Sequence, residues 1–166
     1  MTYASTMEIN RPAGIAWAKM PTWFHFATLV YFATNIFNGW VFVYLKAPAG
    51  ATALALFGLL GGFIEHISPY FPKLYVNPMV EKILFRFPTI LGALWLSHWI
   101  GLAWYVIAFV ALQSIIFMRE KPITSMEPRF HLQHVFGTHL FSSVQMVLIV
   151  LAASGQYPML KSLLMR

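Results

Sequence analysis

The ionisable chemistry of this sequence rests on six histidines and five glutamates, because it contains no cysteine and no aspartate. Without cysteine there are no disulfides, thiolate zinc sites, iron–sulfur ligands or covalent c-type haem attachments. The densest pattern is Glu127, His131, His134, Thr138, Ser142 and Gln145, spaced 4, 3, 4, 4 and 3. On an α-helix these six side chains fall within an arc of roughly 80°. Such a stripe cannot face lipid along its whole length, so it needs a helix, a wet cavity, a cofactor or a partner subunit beside it. Glu127, His131 and His134 are of metal-ligating type, but one Glu/His/His cluster at a helix end does not define a metal site, and none is assigned. Thr138, Ser142 and Gln145 read as interhelical hydrogen-bonding groups, each worth about 0.6 kcal/mol in a membrane.

A second polar face holds His25, Thr28, Asn35 and Gly39. Asn35 falls near mid-bilayer, where an unpaired amide is expensive, so this face is expected to pack against the stripe. His98 and His139 are the one histidine pair at matching depth on two apolar segments, and they are the candidate haem ligands. The fragment HVFGTHL resembles the haem-binding helix of the succinate dehydrogenase anchor, although the histidine spacing differs and the arginine is missing. Glu65, beside His66, reads as a headgroup-level carboxylate paired with a cation such as Lys73. No nucleophile–base pair, phosphate-cradling glycine loop or zincin motif is present, so no catalytic residue is assigned.

The elements that position these residues are apolar helices. Only 10% of residues are charged, while 59% are hydrophobic and 17% aromatic. So few charges cannot cover a water-facing surface, and the outside must face lipid. The expected fold is all-α: a four-helix integral membrane protein with spans at about 22–45, 49–67, 89–118 and 128–153. At about 30 residues, the third span must tilt or project into water. Asn77 and Pro78 form a good helix start, and residues 78–87 read as a short amphipathic helix in the interface that ends at Pro88. Gly58 and Gly62 on the second span, with Ala93, Ser97 and Gly101 on the third, have the spacing of close helix–helix seams.

Four spans would put both termini on one side together with Arg11, Lys19, Lys73, Lys82, Arg86, Lys161 and Arg166. Lys46, Arg119, Lys121 and Arg129 would lie opposite. The excess of cations points the termini toward the matrix or cytoplasm. The net charge of +6 suits anionic lipid headgroups rather than nucleic acid. The first 21 residues lack the apolar run of a secretory signal; Arg11 and Lys19 with few acids fit an internal mitochondrial signal.

WLSHWIGLAWYVIAF, the basic hinge REKPIT and the last helix beginning near HLQHVF give the C-terminal half a further likeness. It resembles small four-span eukaryotic transmembrane proteins of uncharacterised function. The resemblance implies the span count and no site residue. With no catalytic constellation in view, the first expectation is a structural or accessory subunit of a larger membrane assembly. A respiratory or ATP synthase complex of a mitochondrial inner membrane is the most natural setting. Its partners would be other membrane subunits and lipids, and no cofactor is assigned beyond bound lipid. The alternatives are a haem- or quinone-binding or lipid-modifying enzyme built on His98, His139 and the polar stripe, and a small channel or carrier.

Overall fold

The computed structural model describes residues 22–67, 77–120 and 128–166, and every named element among them is helical. In chain order these are α1 (Thr22–Tyr44), α2 (Ala49–Ile67), α3 (Pro78–Glu81), α4 (Phe87–Trp99), α5 (Trp104–Arg119), α6 (Pro128–Gln133), α7 (Phe141–Ala153) and α8 (Pro158–Leu164). Two π-helical stretches, π1 (Lys82–Arg86) and π2 (His134–Leu140), join α3 to α4 and α6 to α7.

Three helices, Thr22–Tyr44, Ala49–Ile67 and His131–Ala153, are long and apolar enough to cross a membrane, as an integral membrane protein requires. The expected third span, 89–118, is divided. Leu102 N–H donates to Ser97 O and Gly101 N–H to His98 O, with Gly101 at φ +73°. This is the glycine-terminated helix end that satisfies the last carbonyls, and it turns the chain back into α5. Gly101 therefore makes a turn rather than a seam, and a Cβ there would meet nothing within 4 Å. The amphipathic segment is corrected too. It runs through π1 directly into α4, and Pro88, which has no N–H to donate, sits in the first turn after the π segment. Two of its three charges point inward: Glu81 and Arg86 are buried while Met79, Ile83, Leu84 and Phe87 are exposed.

The helices alternate in direction. The Thr28 hydroxyl meets His131, the Tyr31 ring stacks on His66, and Arg86 reaches both Glu65 and the end of α5. The starts of α1, α3 and α6 therefore share one end with the terminations of α2 and α5; we term it the near end. At the far end, Ala103 N–H donates to Leu164 O and Arg166 N–H to Gly101 O, so α8 folds back on the α4–α5 turn. The start of α1 and the C-terminal residue thus lie at opposite ends of the bundle, whereas a four-span chain would place them together.

The tightest seam joins α2 to the α3–π1–α4 helix. A Cβ on Gly58 would lie 2.5 Å from Phe85 O, one on Gly92 2.9 Å from Ala51 O, and one on Gly61 would overlap the Phe85 ring, while Gly62 faces the Tyr31 hydroxyl of α1 instead. Below this seam Phe42, Ala55 and Leu96 form an apolar core, with Ala93 and Met146 packed against it. Trp40, Tyr44, Trp95, Trp99, Trp104 and Tyr105 are exposed around the far end, the distribution of an aromatic belt at a membrane–water boundary.

Candidate functional site

The near half of the bundle holds a buried polar cluster built around π2. Residues five apart on an α-helix differ by about 140°, but a π turn bonds residue i to i+5 and brings them onto one face. His134 and His139 are so aligned, with their Nε2 atoms 3.0 Å apart. His134 Nδ1 lies 2.7 Å from Glu120 Oε2, and the Thr138 hydroxyl donates to Glu120 Oε1 at 2.5 Å. A carboxylate accepts, so His134 donates from Nδ1–H to Glu120, and its Nε2 shares a second hydrogen bond with His139 Nε2. Burial raises the Glu120 carboxyl, but hydrogen bonds from His134 and Thr138, with the charges of His134 and Arg86, outweigh it. The net effect holds Glu120 below its ordinary value.

Two more histidines flank this pair. His66 stacks on Tyr31 with ring planes 14° apart, and its Nδ1–H donates to Gly62 O at 2.9 Å. Its Nε2 is buried and without a partner. His131 Nε2 lies 3.2 Å from the Thr28 hydroxyl, with its ring packed on Phe24. No group of three or more ligating side chains among the described residues is arranged to hold a metal ion.

Arg86 ties three helices together. Its Nε donates to Glu81 Oε1, its Nη2 lies 3.7 Å from Glu65 Oε1, and its Nη1 donates to Phe117 O at 2.7 Å and Glu120 O at 3.1 Å. The guanidinium also lies over the Phe117 ring. Glu65 is thus paired inside the bundle with Arg86 and is 8% exposed, rather than sitting at the headgroups with Lys73, which lies outside the described residues. A planar guanidinium with a fixed fork of donors serves several acceptors at once, which a lysine cannot do. Glu81 Oε2 remains buried and unpartnered.

Next to this cluster is a cavity of about 400 Å³ between α1, α2, α4, α5 and α7. Thr138, Ser142 and Gln145 of the predicted stripe line it, as do Asn35 and Asn38 of α1. The two polar faces therefore meet at the near end, where Thr28 contacts His131, look at each other across a space, and close again below it, where the Ser143 hydroxyl donates to Asn38 Oδ1 at 3.1 Å. Asn35 is 2% exposed, and its Nδ2 approaches the Tyr31 hydroxyl without completing a hydrogen bond. The hydroxyls of Ser142, Thr89 and Ser97 donate to carbonyls one turn back on their own helices, so they face outward as acceptors. Helix α5 forms one wall, packs along α4, and buries no residue of its own.

The structure separates the candidate haem ligands. His139 is buried in the near half, whereas His98 is exposed at the far end, with its Nδ1 3.3 Å from Arg166 Nη2. The reason is the turn at Gly101, which places His98 at the end of a helix instead of midway along a long span. Of the remaining predicted residues, His25 is half-buried, edge-on to Phe24, and Glu127 lies outside the described residues. The sequence reading did not reach the partnership of Glu81, Arg86 and Glu120, or the part played by Tyr31. Glu81 and Arg86 are five apart, as are His134 and His139, and a five-residue spacing signals a shared face only once a π turn is known.

No family model, no curated protein and no solved structure matches the chain.

Proposed function

We propose that the chain is an integral membrane protein that binds a small lipid-soluble molecule in the cavity behind α5. The observation that supports this most directly is Asn35: a buried amide nitrogen without a completed hydrogen bond, on the wall of a space of about 400 Å³ in the apolar bundle. Such a group destabilises a membrane protein unless something accepts from it. The loose seating of α5 offers a lateral way in. A conducting pore is the weaker reading, because Phe42, Leu96 and Met146 close the far half with apolar side chains.

Among the described residues Lys82, Arg86 and Arg119 lie at the near end and Lys46, Lys161 and Arg166 at the far end, so these cations are evenly divided between the two ends. A second reading, an accessory subunit of a respiratory or ATP synthase complex in a mitochondrial inner membrane, draws on α5. This apolar helix has no buried residue and so has faces available to neighbouring subunits.

Native mass spectrometry after gentle detergent extraction tests the first reading. The expected result is a co-purifying lipophile lost in Ser142→Phe, which fills the cavity while the variant stays helical and monodisperse. A protein free of lipophiles in both forms, and bound by none added, would reject it. Stable co-migration with a large set of subunits would favour the second reading.

A further inference from the structure

We infer that the cavity takes a neutral, planar head group bearing carbonyl oxygens, of the quinone class, with Asn35 as one hydrogen-bond donor. The inference rests on the reading of the cavity as a ligand site.

Charge narrows the choice first. Three carboxylates, Glu65, Glu81 and Glu120, stand around the upper cavity against one guanidinium. Arg86 is already engaged by Glu65, Glu81 and two carbonyls, so no cationic side chain among the described lining residues is turned toward an anion. A fatty acid or phospholipid headgroup would bring more negative charge to a low-dielectric site that already has an excess of it.

Hydrogen bonding narrows it further. An ammonium group has only donors and cannot satisfy Asn35 Nδ2, which is itself a donor. A carbonyl oxygen can. The lining hydroxyls of Ser142, Thr89 and Ser97 donate to their own helices and present lone pairs, which would receive the O–H of a reduced, hydroquinone-type ring. The same walls therefore suit a ring dione and its dihydroxy form. Shape agrees. Tyr31, Phe85, Phe109, Phe117 and Phe141 give the cavity flat aromatic sides, against which a planar ring packs in offset or edge-on geometry. An apolar tail would leave toward lipid beside α5. No electron transfer is part of this inference.

The test uses the full chain in lipid nanodiscs, with decylubiquinone as the neutral dione, oleate as the anion and tetraphenylphosphonium as the cation. Decylubiquinone is expected to bind saturably, with its carbonyl infrared band shifted to lower frequency by the hydrogen bond. Asn35→Leu, close to asparagine in volume, should weaken binding about tenfold and remove the shift, as loss of one buried hydrogen bond predicts. Should that variant fail to fold, Ser142→Phe must abolish decylubiquinone binding in its place. Preferential binding of oleate or tetraphenylphosphonium, or an unshifted carbonyl band, would overturn the head-group assignment and leave the cavity reading standing. Binding of none of the three, with no lipophile co-purifying, would overturn both.

Discussion

His134 and His139 share one face of a helix, with Nε2 atoms 3.0 Å apart, because the chain between them runs as a π turn. The extra residue in that turn sets the site: it brings His139 beside the polar stripe, which an α-helical register would leave well to one side. Deleting Gly137, which has open space around it, should restore an α register and separate the two rings. In histidine-labelled protein the wild type is expected to show nitrogen–nitrogen coupling across the shared hydrogen bond. The deletion should abolish it while the helix content stays near wild type. Coupling that survives the deletion would show that the register does not create the contact.

Arg86 is the cation among the described residues that reaches both Glu65 and Glu81. Arg86→Met leaves two carboxylates buried without it, and a broken buried ion pair costs about 3–5 kcal/mol. Unfolding in mixed micelles should register a loss of that order. Adding Glu81→Leu to Arg86→Met should recover part of it, since the worse-placed charge is then gone. A single variant as stable as wild type would mean the triad contributes nothing.

Glu120 gives the bundle a defined acid sensitivity. Its folded-state affinity for protons is held below the ordinary carboxylate value by the hydrogen bonds from His134 and Thr138 and by the charges of His134 and Arg86. A depressed value means the stabilisation is fully present above the unfolded-state pKa and is lost as pH falls through the lower folded value. Stability should therefore decline below the ordinary carboxylate range, and Glu120→Gln should flatten that decline. An acid limb unchanged by Glu120→Gln would place the sensitivity elsewhere.

Helix type and most helix positions were legible because apolar length is a strong signal: α1, α2 and the α6–π2–α7 helix fall where composition puts them. What stayed hidden depends on single residues. Gly101 reads equally well as a packing glycine or a helix terminator, and the difference divides one long span into a hairpin. A π insertion leaves no compositional trace, so the histidine pair, the inward turn of Arg86 and the offset of the stripe were all out of reach. Asn35 was found as a buried polar group, yet the space beside it is a property of three-dimensional packing.

The two kinds of glycine make a last prediction that separates conformation from contact. Gly101 has a positive φ and no neighbour where a Cβ would go, so Gly101→Ala meets backbone strain alone, about 1 kcal/mol. Gly58 lies in an ordinary helical conformation, but a Cβ there would stand 2.5 Å from the Phe85 carbonyl oxygen and 1.8 Å from the Thr89 hydroxyl. Backbone cannot rotate out of the way, so Gly58→Ala must push α2 away from π1 and α4. Overpacking of this kind costs about 1–3 kcal/mol or more, and here it also widens the cavity wall. Gly58→Ala should thus destabilise more than Gly101→Ala in the same micelles, and only Gly58→Ala should weaken lipophile retention. Equal losses from both would argue that the α2–α4 seam is looser than its atomic contacts indicate.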